Sequence, residues 1–125
     1  PYDIVEDAAI MVGDWAPANY KNQYFGEVVL EEALARSLNG ATVRVQEDIG
    51  RGAVRLAARR MGITSSLSQG PALALGVDTV TPLELAGAYA PLVNGGYRVE
   101  AHAVSSIKTG DGEIVYSRDA NLLGK

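Results

Sequence analysis

The spacing of hydrophobic and polar positions changes along the chain, and it predicts helices followed by a hairpin. From about residue 27 to about residue 95, apolar residues recur every three or four positions, which is typical of amphipathic helices. Beyond residue 97 the period falls to two, and the Asp-Gly pair within Thr109–Gly112 predicts the turn of a hairpin with strands 97–107 and 113–117. The predicted fold class is mainly α with a C-terminal β-hairpin.

The first predicted helix follows Tyr24-Phe25-Gly26 and organises the remaining interpretation. Leu30, Ala33 and Leu34 recur at i, i+3 and i+4, so we expect Leu30 and Leu34 to pack on a core. Val29 precedes them and cannot cap the free backbone N–H groups. The segment 37–40 contains residue types that favour leaving a helix, which predicts a helix-to-loop junction there.

Other elements are predicted on both sides of this helix. Residues 2–12 are expected to be extended, and the rings of Trp15 and Tyr20 are expected to fill the edge of the core from a loop. Thr81 and Glu84 form a capping box around a proline, which predicts a helix start. The predicted helices are Ala41–Ile49, Arg51–Met61 and Pro82–Val93, and a buried connector is predicted at Leu73–Leu75. In the last helix, Pro91 is expected to loosen the final turn, and the residues expected to face inward are Leu85, Ala86, Tyr89 and Leu92 or Val93.

Composition excludes several classes of function. The 125 residues contain 11 Lys and Arg against 15 Asp and Glu, without a basic run, so the electrostatic footprint of nucleic-acid binding is missing. No cysteine is present, and His102 is the only histidine, so we expect no thiolate site, metal or cofactor. The length suits one core, and no apolar run approaches the roughly 18 residues of a membrane span, so the chain as given is expected to be soluble, without a targeting segment.

Several motifs carry a resemblance to a known family. The first group is Trp15-x-Pro17-x-Asn19-Tyr20, Tyr24-x-Gly26 and Leu30-x-Glu32-Ala33-Leu34-Ala35-Arg36-Ser37-Leu38-Asn39. The second group is Ala57-x-Arg59-x-Met61-Gly62-Ile63, Leu73-Ala74-Leu75-Gly76, Val80-Thr81-Pro82-Leu83-Glu84-Leu85-Ala86-x-Ala88-Tyr89-Ala90 and Asn94-Gly95-Gly96. In order and spacing, these motifs resemble the transpeptidase domain of class A penicillin-binding proteins from about Asp3 to Tyr116.

The resemblance implies a fold, a reaction and partners. Residues 1–125 would be a partial transpeptidase domain of the α+β serine β-lactamase and transpeptidase fold, with a helical part over about 27–95 and a hairpin over about 97–117. The complete enzymes of the family cross-link peptidoglycan by attacking a D-Ala-D-Ala stem peptide through an acyl-enzyme that β-lactams mimic. Stem peptides and β-lactams are therefore the implied partners. The implied parent is membrane-anchored and works on the periplasmic side of the bacterial inner membrane.

Ser37 and Asn39 are the implied site residues, because Ser-x-Asn is one of three catalytic motifs in the family. Ser37 would relay a proton toward the leaving group, and Asn39 would hydrogen-bond the substrate amide, roles that suit a hydroxyl and an uncharged carboxamide. A bare Ser-x-Asn also occurs by chance, so an ordinary helix C-terminus is the alternative. The family's nucleophilic serine with its lysine, and its K-T-G strand, are not found here, so the chain alone is expected to be inactive.

Two motif matches near the hairpin are expected to be coincidences. Ser105-x-x-Lys108 spells S-x-x-K and Lys108-Thr109-Gly110 spells K-T-G, both signatures of serine acyl-transferring enzymes. They share one lysine, whereas the family's site uses two. On a strand, Ser105 and Lys108 would point to opposite faces because their separation is odd.

Alternative hypotheses are a non-catalytic helical interaction or regulatory module on the same scaffold, and a fragment of a class B transpeptidase. Finding S-x-x-K before Pro1 and K-T-G after Lys125 in the parent reading frame would discriminate among them. The charges of Arg55, Arg59 and Arg60 would form either an anion site or, as we expect, a solvated helix end. We also expect self-association of the isolated chain, because an unpaired hairpin with an apolar face is a template for pairing.

Overall fold

The computed structural model describes residues 1–118, which divide into two structural units. One unit comprises residues 1–57 and 66–79, and the other comprises residues 58–65 and those from 80 onward. Residues 119–125 of the predicted partial domain lie outside the described residues. No helix of the described part is long and apolar enough to cross a membrane.

In chain order the elements are β1 (Ile4–Asp7), β2 (Gly26–Val29), α1 (Leu30–Ala35), α2 (Asn39–Ile49), α3 (Arg51–Arg60), α4 (Pro82–Tyr89), β3 (Ser106–Lys108) and β4 (Ile114–Ser117), with single 3-10 turns at Tyr20–Asn22, Leu73–Leu75 and Ala90–Leu92.

Residues 26–29 correct the sequence prediction, because they form a strand and not the start of a helix. β2 pairs antiparallel with β1, with Val28 opposite Val5. Both valines are buried, and β-branched side chains fit the half-buried surface of a sheet. The extended conformation predicted for residues 2–12 is confirmed over β1. The mainly helical fold therefore also contains an N-terminal two-stranded sheet.

α1 follows β2 without a connecting residue. Val29 precedes it and provides no side-chain cap, as predicted from the sequence. Backbone carbonyls take over this task, because the N–H of Leu30 donates to the oxygen of Asp3 at 3.0 Å and the N–H of Glu31 donates to the oxygen of Pro1 at 3.1 Å. Two of the N–H groups that every helix start leaves free are thereby satisfied by the N-terminal segment.

The core of the first unit lies between this sheet and the two helices that follow. Its buried members are Val5, Val28, Ala33, Leu38 and Ala41, with Leu30 and Val45 packed against them. Leu30 thus contacts the core as expected. The expectation for Leu34 is wrong, since its side chain is 81% exposed. The six-residue α1 buries Ala33 instead.

In the loop between β1 and β2, the buried residues are not the two whose rings were predicted to fill the core edge. Trp15 is partly buried, and its backbone forms a bridge with Val12. Tyr20 is exposed, so the prediction that its ring fills the core edge is wrong. Pro17 and Asn19 are the buried residues of this loop.

The next two helices lie close to their predicted positions. α2 begins at Asn39, earlier than the predicted Ala41, and α3 ends at Arg60, one residue before the predicted end. A guanidinium N–H of Arg59 donates to the carbonyl oxygen of Ile63 at 2.9 Å. A cation is favourable at a helix C-terminus, so the helix-end interpretation of this arginine agrees with the structure.

A buried glutamine on α2 holds the connector after α3. The side-chain oxygen of Gln46 accepts a hydrogen bond from the N–H of Ala74 at 2.7 Å, and its nitrogen donates to the carbonyl oxygen of Pro71 at 2.8 Å. Leu73 is buried between these two contacts. The predicted buried connector is therefore observed at Leu73.

The start of α4 follows its predicted capping chemistry. The hydroxyl of Thr81 accepts from the N–H of Glu84 at 3.2 Å, and the carboxylate of Glu84 accepts from the N–H of Thr81 at 3.0 Å. α4 ends at Tyr89, and the following 3-10 turn contains Pro91, as expected for a loosened last turn. The predicted buried face is wrong: Ala88 is buried, whereas Leu85, Ala86, Tyr89, Leu92 and Val93 are exposed.

β3 and β4 form the predicted C-terminal hairpin. Ile107 lies opposite Tyr116, and the N–H of Thr109 donates to the carbonyl oxygen of Glu113 at 2.8 Å across the turn. β3 is much shorter than the predicted strand 97–107, of which residues 97–105 are not in a strand. Every residue of both strands is exposed.

Candidate active site

Ser37 occupies the left-handed backbone position that ends α1. Its φ is +55°, its N–H donates to the carbonyl of Leu34 at 3.0 Å, and the N–H of Leu38 donates to the carbonyl of Ala33 at 3.0 Å. These two bonds define a Schellman motif, in which glycine is the usual residue at the left-handed position. A serine there carries a conformational strain that glycine would avoid.

The hydroxyl of Ser37 is available to a ligand. The residue is exposed, and within residues 1–118 its side chain makes no hydrogen bond. No lysine or histidine of the described part is therefore hydrogen-bonded to it as a base. Such a hydroxyl can donate and accept one proton but is not itself activated for attack.

Asn39 is the first residue of α2. The prediction of a helix-to-loop junction at residues 37–40 is therefore wrong, because this segment joins two helices. The side-chain nitrogen of Asn39 donates to the carbonyl oxygen of Ala18 at 2.8 Å. A carbonyl only accepts, so this contact fixes which end of the amide is nitrogen. The side-chain oxygen makes no hydrogen bond within the described residues and remains an acceptor. The structure brings Ser37 and Asn39 to one short junction.

A buried polar pair lies directly beneath this junction, and the sequence analysis missed its role. The amide nitrogen of Asn19 donates to both carboxylate oxygens of Asp7, at 2.8 and 2.9 Å. The amide oxygen of Asn19 accepts from the N–H of Gly40 at 3.0 Å. Asp7 is 0% and Asn19 5% exposed. A sequence signal existed, because Asn19 belongs to the Trp-x-Pro-x-Asn motif, but nothing in the sequence paired it with Asp7.

A concave surface opens beside Ser37. This pocket has a volume of about 360 Å³ and is lined by Asn19, Tyr20, Gln23, Phe25, Arg36, Ser37 and Leu38. The guanidinium of Arg36 lies 4.6 Å from the centre of the Phe25 ring and its Nη2 lies 2.9 Å from Oε1 of Glu32. The wall of the pocket next to the serine is therefore aromatic and positively charged at its rim.

Comparison with known proteins decides the family. The model of the penicillin-binding protein transpeptidase domain matches residues 1–123 of this chain. The chain belongs to the penicillin-binding protein transpeptidase family. It is 35% identical over 120 residues to penicillin-binding protein 1A of Pseudomonas aeruginosa, an alignment that covers 90% of this chain and 15% of that protein. The chain thus spans a small part of its relatives, and the resemblance to class A proteins is confirmed.

Solved structures of this family share the fold. Penicillin-binding protein 1A from Haemophilus influenzae superposes with a TM-score of 0.83 at 28% identity, covering 94% of this chain and 18% of that protein. The PonA1 protein from Mycobacterium tuberculosis, solved in complex with penicillin V, gives a TM-score of 0.80 at 24% identity, covering 91% and 35%. The predicted transpeptidase-like fold class is therefore confirmed.

The motif matches at the hairpin do not have the geometry of a penicillin-binding site. Ser105 lies just before β3, and Lys108 is the last residue of that strand, so neither lies at the start of a helix. Thr109 and Gly110 belong to the turn, where the hydroxyl of Thr109 accepts from the N–H of Glu113 at 3.0 Å. The interpretation of these matches as coincidences is consistent with the hairpin.

Two other polar features have structural explanations. His102 is exposed, with Nδ1 3.2 Å from the carbonyl oxygen of Glu100. Glu84 accepts hydrogen bonds from the backbone and hydroxyl groups of Thr64 and Ser65, which tie the segment just after α3 to the start of α4. The hydroxyl of Thr81 also donates to this carboxylate. The Ser65 hydroxyl is the largest cause that lowers the pKa of Glu84, followed by the Thr64 hydroxyl. No group of three or more metal-ligating side chains is found among residues 1–118.

Proposed function

We propose that this chain is the part of a peptidoglycan D,D-transpeptidase that supplies the Ser-x-Asn element of its active site. Membership of the penicillin-binding protein transpeptidase family supports the reaction class. The strain at Ser37 carries the assignment of the site: a non-glycine residue is held at φ +55°, and its exposed hydroxyl makes no hydrogen bond within residues 1–118. Strained backbone positions of this kind cluster at functional sites, where the side chain is needed.

In the proposed reaction, Ser37 moves a proton and Asn39 orients the substrate. The nucleophilic serine of the complete domain forms a bond from its oxygen to the carbonyl carbon of the penultimate D-Ala. The C–N bond to the terminal D-Ala breaks, and the proton of the nucleophile ends on the leaving amine. The hydroxyl of Ser37 accepts that proton on one side and donates its own on the other, so it is unchanged overall.

The free oxygen of Asn39 suits the second role. Its nitrogen is occupied by Ala18 at 2.8 Å, which leaves the oxygen to accept an N–H from the stem peptide or from a β-lactam side chain. A neutral amide orients a peptide without introducing a charge that would have to be desolvated. Partners of the complete domain are thus peptidoglycan stem peptides and β-lactams, and we place its membrane-anchored parent on the periplasmic side of the inner membrane.

The test is acylation of the complete domain by a labelled penicillin. Ser37→Ala should slow acylation by about 10²–10⁴-fold as loss of a proton relay, and Asn39→Ala by about 10–10³-fold as loss of one positioned polar group. Ser105→Ala and Asn94→Ala are matched controls, since Asn94 also bonds a carbonyl, that of Tyr97, at 2.8 Å. Both controls should acylate normally.

Normal rates in both Ser37→Ala and Asn39→Ala would overturn the proposed site and favour the alternative that this Ser-x-Asn segment is an ordinary helix terminus. A loss in Ser105→Ala would instead restore the motif match at the hairpin.

A further inference from the structure

We propose that Asp7 and Asn19 are positioning residues of the transpeptidase site, which hold Asn39 of the Ser37-x-Asn39 junction in place. The inference rests on the proposed function of that junction. Within residues 1–118 neither residue hydrogen-bonds to Ser37 or to the free oxygen of Asn39, and neither is proposed to act on substrate directly. Their role follows from a chain of hydrogen bonds that runs from β1 to the start of α2.

The loop before β2 and the start of α2 exchange two hydrogen bonds. Asn39 donates through its side chain to the carbonyl of Ala18 at 2.8 Å. In return, the side-chain oxygen of Asn19 accepts from the N–H of Gly40 at 3.0 Å. Because the bonds join adjacent residues on both sides, they fix the direction in which Asn39 leaves the junction as well as its distance from the loop.

Asn19 also supplies the helix cap that the local sequence lacks. Leu38 is the N-cap of α2 and has no polar side chain to bind the free N–H groups. The N–H of Gly40 is one of these groups. Asn19 therefore acts as an N-cap side chain provided by a distant part of the chain, and it determines where α2 can begin.

Asp7 fixes the orientation of Asn19. The amide nitrogen of Asn19 bonds both carboxylate oxygens of Asp7 and the carbonyl of Gln23, the latter at 3.0 Å. Rotating the amide by 180° would direct its oxygen at a carboxylate and its nitrogen at the N–H of Gly40. Both contacts would then be repulsive, so only the observed orientation is compatible with Asp7.

Asp7 in turn is attached to the sheet. It is the last residue of β1, opposite Gly26, and its second carboxylate oxygen accepts from the N–H of Phe25 at 3.0 Å. A buried carboxylate is tolerated only when such bonds satisfy it. The hydrogen-bond chain thus connects a rigid strand pair to the catalytic junction, where a shift of about 1 Å can cost about 10²-fold in rate.

A double-mutant cycle in the complete domain tests this role. Asn19→Ala should slow acylation by penicillin by about 10–10²-fold. In the Asn39→Ala background, the same substitution should cause less than about a threefold further loss, because the group that Asn19 positions is already absent. If Asn19 had a merely structural role, the losses of acylation rate in the two single variants would multiply in the double variant.

Gln46→Ala is the matched control. Gln46 is a buried amide on α2 that, like Asn19, bonds backbone groups, but its partners Pro71 and Ala74 are not part of the junction. It should lower the melting temperature comparably while leaving the acylation rate of folded protein normal. Asp7→Asn is the second variant, to be used if Asn19→Ala does not fold. It keeps the volume of Asp7 and should also slow acylation, with little further loss when it is combined with Asn39→Ala.

The outcomes separate this inference from the proposed function. Slow acylation in Ser37→Ala and Asn39→Ala, with normal acylation in folded Asn19→Ala and Asp7→Asn, would overturn the positioning role alone. Losses of acylation rate that multiply when Asn19→Ala and Asn39→Ala are combined would also overturn the positioning role alone. Normal acylation in Ser37→Ala and Asn39→Ala would overturn the proposed function itself.

Discussion

Gly40 packs directly against the backbone of Ala8: a β-carbon placed on Gly40 would lie 2.8 Å from the carbonyl oxygen of Ala8 and 3.2 Å from Oδ1 of Asp7. Asp7 is the buried last residue of β1, with its carboxylate held by Asn19 and Phe25, and Ala8 follows it directly, so both neighbours have little freedom to move. Position 40 therefore requires glycine, because the backbone there lies too close to Ala8 and Asp7 for a side chain. The sequence analysis took this glycine as a sign that a helix ends, whereas it lies at the start of α2.

Gly40→Ala should consequently destabilise the protein by about 1–3 kcal/mol, as expected for overpacking against fixed atoms. The control is Gly52→Ala, also at the second position of a helix, where an added β-carbon would meet nothing within 4 Å. That control should be neutral or stabilising by up to about 1 kcal/mol. Thermal melts of the two variants provide the comparison, and equal melting temperatures would contradict the close-packing argument.

Ser37→Gly should separate stability from activity. Glycine relieves the strain of the left-handed position, so the free energy of unfolding should rise by about 1 kcal/mol. Acylation of the complete domain should nevertheless fall as far as in Ser37→Ala, because the hydroxyl is lost in both variants. Denaturant titration and labelled penicillin measure the two quantities. A glycine variant that is neither stabilised nor slowed would remove the functional explanation of the strain.

The chain alone should form no stoichiometric covalent adduct with a penicillin. An unactivated hydroxyl is a poor nucleophile, and Ser37 has no hydrogen-bonded base among the described residues. Intact mass spectrometry after denaturation is the measurement. An adduct mapped to Ser37 would contradict the proposed relay role, and one mapped to Ser105 would show that the hairpin motif is functional.

Some of this structure could be predicted from local sequence alone. Thr81 and Glu84 formed the expected capping box because both partners of that interaction lie within four residues. The strand at residues 26–29 could not be predicted in the same way, since its partner is β1 and a short apolar run fits helix or strand equally well. The junction of Ser37 and Asn39 was found through the family resemblance. The Asp7 and Asn19 pair depends on tertiary packing that local patterns do not encode.

The pH dependence of stability should report on Glu84. Hydrogen bonds from the hydroxyl groups of Ser65, which has the larger effect, and Thr64 lower the pKa of Glu84 in the folded protein from its usual 4.5. Its stabilising contribution is therefore complete above pH 4.5 and is lost progressively as the pH falls below that value toward the lowered pKa. Glu84→Gln should melt lower than the unchanged protein at pH 7, and the gap should narrow with acidification.

Ser65→Ala is the companion variant, because it removes the first cause of the lowered pKa while keeping the carboxylate. The loss of stability on acidification should start at a similar pH but be smaller than in the unchanged protein. Melting temperatures at several pH values between 7 and 3 test both expectations. A gap between the unchanged protein and Glu84→Gln that is independent of pH would contradict them.

The isolated chain should self-associate through its exposed apolar surfaces. Ile107, Ile114 and Val115 of the hairpin are each at least half exposed, and strand edges with apolar side chains favour pairing between copies. Light scattering should show a mass that rises with concentration. Val115→Lys should reduce that rise, since a charged residue on an edge strand opposes pairing. A strict monomer at all concentrations would contradict the prediction.

The direct passage from β2 into α1 also restricts where the length of this segment can change. Val29 is the last residue of the strand and Leu30 the first of the helix. One residue inserted between them would either reverse the faces of the strand or turn the helix, and with it Ser37, by about 100°. The hairpin turn at Thr109–Gly112 instead joins two strands whose residues are all exposed, so an inserted reporter group should be accommodated there.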